Sequence, residues 1–294
     1  MASPTPVTRL ASVLRADNPG PMTLDGTRSY VLRAPGSATC VVVDPGPDDA
    51  AHLDALAAAG PVELVLVTHR HADHTAGAPG LRERTGAPVR SADPDHCHGG
   101  DPLRGGETVR AAGLRIDVLA TPGHTADSVC LVLADDGPVG ALAEGVPASV
   151  TTVLTGDTVL GTGTTVLSAP DGSLGAYLAS LDAIEAVATA GPTVGLPGHG
   201  PVVVDLAARV RAYREHRLER LAQVRAALAA LGLAPGAERA VDQVVARVYA
   251  DVDPSVLGAA RQSVAAQLAF LAGADEAARR PPPRGRSRSR RTGS

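Results

Sequence analysis

The chain has 294 residues, 44% of them apolar and 20% charged, with a formal net charge of −4. That length suits one large domain plus a small one, or two medium ones, and the composition excludes general disorder. No apolar run reaches the roughly 18–20 residues that cross a bilayer, and the start of the chain lacks the basic-then-apolar layout of a secretory signal.

The opening stretch is free of acid until Asp17 and carries Arg9 and Arg15, a faint transit-peptide texture that we set below a soluble cytoplasmic reading. Ser29–Arg33 and Ala38–Val43 then read as strands, as do Glu63–Val67, Leu114–Leu119, Ser128–Leu133 and Val150–Leu154. Several are apolar at every position, as expected of strands covered on both faces. Between them, Asp48–Ala59 opens after Gly46-Pro47 and closes at Gly60, and Ser173–Ala190 closes at Gly191; both read as helices. Strands flanked by helices predict a layered α/β body over residues 1–204.

After Pro201 the texture changes. Asp205–Leu231 is Arg/Glu-rich with Leu206, Val210, Leu218, Leu221, Val224 and Leu228 near helical spacing. Glu238–Ala250 and Pro254–Leu271 predict two more helices, the last with Pro at its first position. Residues 205–278 therefore read as a small helical domain. Residues 279–294 hold seven Arg and no acid, which leaves 20 basic against 31 acidic residues elsewhere. A disordered, solvated tail is the leading expectation for them, and a polyanion-binding tail the sharper one.

All 27 basic residues are Arg, which excludes any chemistry that needs Lys. The three cysteines, Cys40, Cys97 and Cys130, make no disulfide framework and suit a reducing compartment.

The chemistry concentrates where the apolar run Leu64–Val67 meets Thr68-His69-Arg70-His71-Ala72-Asp73-His74. On extended or loop backbone alternate side chains point the same way, so His69 and His71 converge on one ion. Asp73 and His74, being adjacent, diverge and face a second position beside it. Imidazole and carboxylate suit zinc, and a catalytic site keeps one coordination position open for water. Four residues of one loop cannot hold two ions. Partners are sought at strand ends in Gly-containing turns: His124 in Thr121-Pro122-Gly123-His124-Thr125, Asp157 in Leu154-Thr155-Gly156-Asp157-Thr158, and His199 in Leu196-Pro197-Gly198-His199-Gly200.

Together these motifs make residues 7–205 resemble the metallo-β-lactamase fold hydrolases. The resemblance implies an αββα sandwich with the metals at one edge and two Zn2+ as cofactors. Other divalent metals, such as iron or manganese, are the alternative. The same resemblance makes His69, His71 and His124 ligands of one ion, Asp73, His74 and His199 ligands of the other, and Asp157 a bridging carboxylate. A shared hydroxide then attacks carbonyl carbon or phosphorus, with Asp73 orienting it. Thr68, Thr125 and Thr158 stand beside ligands and are candidates to support them, though each equally suits a turn.

Asn18–Thr27, Pro197–Pro201 and Tyr213–Arg220 further resemble the β-lactamase-like protein 2 group. That likeness implies a winged-helix-like C-terminal domain and, from its best-known animal members, cleavage of single-stranded RNA. One departure is Arg28, where relatives carry Asn; it is expected to add a positive charge if its loop lies at the mouth of the site.

β-Lactam hydrolysis is not expected, because such enzymes generally carry a metal-binding Cys where this chain has Asp157. Only 41 residues separate Asp157 from His199, too few for the clamp insert of RNA-processing relatives. The leading substrate is single-stranded RNA or another phosphodiester; a glyoxalase II-like thioester or ester is the alternative, and a non-catalytic metal-binding regulator is the alternative of another class. The five aromatic residues, Tyr30, Tyr177, Tyr213, Tyr249 and Phe270, are few for base stacking. Asp95-His96-Cys97-His98 is a weak candidate for an extra ion, and His52 and His216 read as surface residues. The sequence leaves the oligomeric state open.

Overall fold

The computed structural model describes residues 3–167, 171–250 and 257–279, with side chains as far as residue 273. The first sheet has six strands side by side: β1 (Thr5–Pro6), β2 (Ala11–Arg15), β3 (Arg28–Leu32), β4 (Cys40–Val43), β5 (Val62–Leu66) and β6 (Val89–Arg90). Strands β1 to β4 run antiparallel, and β4, β5 and β6 are parallel. Helix α1 (Ala50–Ala57) makes the crossover from β4 to β5; the one-turn α2 (Ala72–Thr75) and α3 (Ala78–Thr85) make that from β5 to β6. The second sheet comprises β7 (Thr108–Ala111), β8 (Leu114–Ala120), β9 (Val129–Asp136), β10 (Val150–Gly156) and, after helix α4 (Leu174–Ala188), β11 (Thr193–Pro197). Only its β10–β11 pair is parallel. Helices α5 (Leu206–Leu231), α6 (Ala240–Val248) and α7 (Leu257–Arg279) follow.

The two sheets stack face to face. In β4, Val41 and Val43 point between the sheets while Cys40 and Val42 point to the opposite face; Leu64 and Leu66 of β5 divide from Val65 in the same way. The inner layer meets Ile116, Val118, Leu131, Leu133 and Leu154 of the second sheet. The outer face of the first sheet packs on Leu53, Leu56 and Leu81 of α1 and α3. Because side chains alternate with period 2, a one-residue slip of β4 would exchange its two packed faces. The chain is thus an α/β sandwich with helices outside both sheets, as expected.

Helix starts follow side-chain chemistry. Asp49, Ser173 and Asp205 each accept a backbone N–H from the first turn of α1, α4 and α5. Gly232, at φ 64°, closes α5 in the left-handed region.

Three differences from the sequence reading have physical causes. Ala11–Arg15, which the sequence reading left without an element, is an inner strand paired with β3 from Ala11↔Leu32 to Arg15↔Arg28; its only buried residues are Ala11 and Leu14. Helix α3 carries Pro79 and Gly80, and Leu81 in the core stabilises it against that weak propensity. β7 (Thr108–Ala111) has just two buried residues and leaves little pattern to read.

The C-terminal helices share a core with the body. Cys130 and Val153 of the second sheet, Tyr177 and Leu181 of α4, Tyr213 and Val224 of α5, Val244 of α6 and Val264 of α7 form one apolar cluster across the 204/205 boundary. The described residues after Asp205 form helices and no strand. The predicted helix start at Pro254 and residues 280–294 of the Arg-rich tail lie outside the described residues.

Candidate metal centre

The ends of β4, β5, β8, β10 and β11 reach one edge of the sandwich. Backbone and side-chain bonds join the two sheets there: Val129 N donates to Thr68 O at 2.8 Å, Arg28 N to Gly198 O at 2.8 Å, and Tyr30 OH to Pro197 O at 2.8 Å. His69, His71, Asp73, His74, His124, Asp157 and His199 all gather between them.

Their donor atoms form three overlapping groups, each within 4.8 Å: His69, His71 and His124; His69, His74 and Asp157; Asp73, His74 and His199. His71 Nδ1 lies 3.1 Å from His69 Nε2 and 3.0 Å from His124 Nε2. Tetrahedral zinc with Zn–N of about 2.0–2.1 Å holds its nitrogens roughly 3.3 Å apart, so this trio fits a metal ion. The Asp157 carboxylate lies between the groups, with Oδ2 at 3.8 Å from His124 Nε2 and 3.3 Å from His199 Nε2, and Oδ1 at 3.5 Å from His74 Nε2. Asp157 Oδ1 is buried with no hydrogen-bond donor. A buried carboxylate oxygen without a donor is costly in a finished protein interior, and a cation satisfies it. The residues present therefore fit two divalent ions.

Local backbone explains the gathering. His69 and His71 do converge from an extended segment. Asp73 and His74 do not diverge as alternation suggested: they stand on the helical turn α2, which brings Asp73 Oδ2 to 3.3 Å from His74 Nε2. The glycines act by different means. At Gly198 a Cβ would collide with the Asp157 carboxylate and the His74 ring, whereas Gly123 has φ 138° and its Cβ would strike the Tyr177 backbone.

Three of the five rings are held from behind by a carboxylate or a carbonyl. His74 Nδ1 donates to Asp44 Oδ2 at 2.9 Å, His124 Nδ1 to Val166 O at 2.8 Å, and His199 Nδ1 to Gly26 O at 3.4 Å. Such bonds fix the tautomer and leave each Nε2 lone pair facing the centre. Asp44 is the residue that sequence reasoning missed. Its signal was an acid ending the apolar run Cys40–Val43 at the same edge as the His-rich loop. It also accepts Thr68 N at 2.7 Å and Thr68 Oγ1 at 2.8 Å, at φ 52°.

The family model for the metallo-beta-lactamase superfamily matches residues 22–139. An "Atrochrysone carboxyl ACP thioesterase" of Aspergillus chevalieri is 32% identical over 228 residues, 75% of this chain and 66% of the relative. The "Beta-lactamase-like protein 2 homolog" of Caenorhabditis elegans is 31% identical over 216 residues, 69% of this chain and 65% of that one. The chain belongs to the metallo-beta-lactamase superfamily. It spans just under two thirds of the length of these relatives, 66% and 65%. The fold is that of a "Beta-lactamase domain protein" from Burkholderia ambifaria, with TM-score 0.69, 24% identity and coverage of 93% of this chain and 90% of that one.

Within this metallo-beta-lactamase edge the charges divide into two halves. Burial, with the neighbouring His74 cation, holds His69 well below its ordinary pKa, and burial lowers His124. Burial opposes the charge of His74 and His199 too, but Asp157 and Asp44 raise His74 well above its usual range, and Asp157 and Asp73 push His199 up to about 9. Burial likewise opposes ionisation of Asp73 and Asp157, yet the surrounding imidazoles hold both well below the carboxylate range. The protein thus offers neutral imidazoles on one side and a carboxylate-rich cage on the other, both suited to dications.

Other expectations resolve individually. Thr68 contacts a site residue, its Oγ1 lying 3.1 Å from His69 Nδ1; Thr125 bonds Ser128 and Thr158 bonds Thr121, so those two serve turns. Arg28 adds no free charge at the mouth, because Asp25 pairs with it at 2.9 Å and 3.0 Å. Asp95, His96, Cys97 and His98 fall in no metal-holding group among the described residues. His52 is a correction: it is buried at 6% exposure, bonded to Ser29 Oγ at 2.8 Å, because α1 turns that face onto β3. His216 is half-buried on α5.

Proposed function

We propose that this chain is a dinuclear-metal hydrolase, with zinc in both positions, acting on an acyl thioester. The observation that carries the hydrolase reading is the pair of donor triads joined by one buried carboxylate, Asp157, at a strand edge. His69, His71 and His124 would hold one ion, Asp73, His74 and His199 the other, and Asp157 would touch both. When bound, such ions supply a hydroxide at neutral pH and take up negative charge on the substrate oxygen. Asp73 is the most exposed of the seven apart from His71, anchored by Thr27 Oγ1 at 3.3 Å from its Oδ2. Its carboxylate would accept a hydrogen bond from the attacking water and orient it towards the acyl carbon, and the water's proton would leave on the departing thiolate.

Two observations favour the thioester over RNA. The Aspergillus relative is named an acyl-carrier thioesterase. Of the five aromatic side chains, Tyr30, Tyr177 and Tyr213 are buried, which leaves only Tyr249 and Phe270 within reach of a base, on the C-terminal helices; single-strand binders need stacking platforms. RNA cleavage is the second reading, favoured by the likeness to the Caenorhabditis elegans protein. A regulatory protein without catalysis is the third. The expected cytoplasmic setting accords with three free cysteines, two of them buried, and no helix among the described residues is long and apolar enough to cross a membrane.

The test is hydrolysis by zinc-loaded protein of acyl-pantetheine and acyl-CoA thioesters, lactones, single-stranded RNA and phosphodiesters, with chelated protein as control. Chelator-sensitive thioester turnover is expected. RNA cleavage without thioester turnover would replace this reading with the second, and no turnover on any substrate with two zinc bound would promote the third.

A further inference from the structure

The segment from Thr158 to Leu167 has no regular secondary structure, yet Thr158, Val159, Leu160, Thr165 and Leu167 are buried. It begins immediately after Asp157. Gly161 N donates to His199 O at 2.9 Å, and at its far end Val166 O and Thr165 Oγ1 lie 2.8 and 3.2 Å from His124 Nδ1. One loop therefore follows one of the seven candidate ligands in the chain and touches two others.

A loop without a ladder needs its backbone groups satisfied elsewhere. Helix α5 supplies much of this from successive turns of one face, since residues four apart stand one above the other. Arg209 Nε donates to Leu160 O at 3.3 Å and Arg209 Nη2 to Gly163 O at 2.9 Å. Tyr213 OH accepts Leu160 N at 3.0 Å. Arg217 Nη2 donates to Thr165 O, and its guanidinium lies 5.2 Å from the ring centroid of Tyr177, whose hydroxyl donates to Thr158 O at 2.7 Å. Arg217 is only 5% exposed. The planar fork of an Arg suits this double task of stacking and donating to a fixed carbonyl.

We infer that α5 is a strut of the metal centre, in which Arg217, assisted by Arg209 and Tyr213, holds the 158–167 loop so that Val166 O sets the ring of His124. The metal part of this inference rests on the reading proposed above; the loop part does not. Arg217 is a positioning residue, reaching the candidate ligand His124 only through the 158–167 loop. The C-terminal helices are on this account part of the site's framework and not an appended module.

The experiment compares wild type with Arg217→Met, Arg217→Lys, Arg209→Met and Leu228→Ala, the last removing core packing further along α5. Two readouts are taken on folded protein below each variant's Tm: the His124 Nδ1–H resonance in the metal-free protein, and zinc affinity by competition with a chromophoric chelator. In Arg217→Met the resonance is expected to broaden or vanish and zinc affinity at the His69–His71–His124 group to fall by about 10–100-fold, the cost of losing support behind a metal ligand. Arg217→Lys restores part of both, and Arg209→Met, should Arg217→Met not fold, shows a smaller loss of the same kind. An unchanged resonance and affinity in both Met variants would overturn the strut, as would an equal loss in Leu228→Ala. A lost resonance in a protein whose wild type binds no zinc would sustain the strut and refute the metal reading alone.

Discussion

His74 donates its Nδ1 proton to Asp44 at 2.9 Å, and Asp44 is itself pinned by both the N–H and the hydroxyl of Thr68, at 2.7 and 2.8 Å. One carboxylate thus couples the end of β4 to the turn that carries His74 and fixes the imidazole from the side away from the other donors. Asp44→Asn keeps the shape but loses the charge, and its amide can present an N–H towards Nδ1. Zinc affinity at the Asp73–His74–His199 group is expected to fall about 10–100-fold, with Tm lowered modestly. Chelator competition checks it, and wild-type affinity in the variant would remove Asp44 from the site's support.

Asp157 is the one candidate ligand whose oxygens approach imidazoles of both triads. A carboxylate can bind one metal through each oxygen, whereas a neutral imidazole has a single lone pair to give. Asp157→Asn is expected to stay folded, retain about one zinc of two and lose activity by about 100-fold or more. Elemental analysis beside turnover decides the matter, with His216→Ala as a variant outside the site. Two zinc per chain with near-normal turnover would show that the bridge is misassigned.

Gly198 is confined on both sides: its N–H donates to Gly156 O at 2.9 Å and its carbonyl accepts Arg28 N at 2.8 Å. A methyl group there meets the Asp157 carboxylate and the His74 ring, and the tied backbone cannot withdraw. Gly198→Ala is expected to cost about 1–3 kcal/mol, the usual range for overpacking, and to reduce zinc content. At Gly191 an added Cβ meets nothing within 4 Å, so Gly191→Ala should match wild type. Thermal melts and zinc content in parallel distinguish the two positions.

The raised pKa of His199, about 9, and of His74 make metal binding proton-linked. Zinc needs neutral imidazole, so each of these groups that is protonated in the free protein must release its proton on binding. Apparent affinity should therefore rise with pH, about tenfold per unit for each proton released, and the His199 contribution should vanish above about pH 9. His69 and His124, held neutral by burial, contribute none. Calorimetry at pH 7 in two buffers of different ionisation enthalpy counts the protons; a heat independent of buffer would contradict the charge pattern described here.

The β-branched, apolar runs and the His-rich segment were legible because their causes are local: strands covered on both faces are apolar at every position, as in Val41–Val43 and Leu64–Leu66, and seven zinc-type donors stand in the segments that follow strands. The α/β sandwich and the seven residues that gather at its edge were thus readable from the sequence. Other features were decided only when strands from distant parts of the chain met at one edge. Asp44 became a partner of His74 through the parallel pairing of β4 with β5. His52 became buried because α1 folds that face onto Ser29. The supports behind His124 and His199 are the carbonyls of Val166 and Gly26, and a carbonyl is common to every residue, so no side-chain pattern announces it. Arg217 looked like one charge among many on α5, and only its packing against Tyr177 and Thr165 separates it from its exposed neighbours, since position in space and not residue type sets what a guanidinium does.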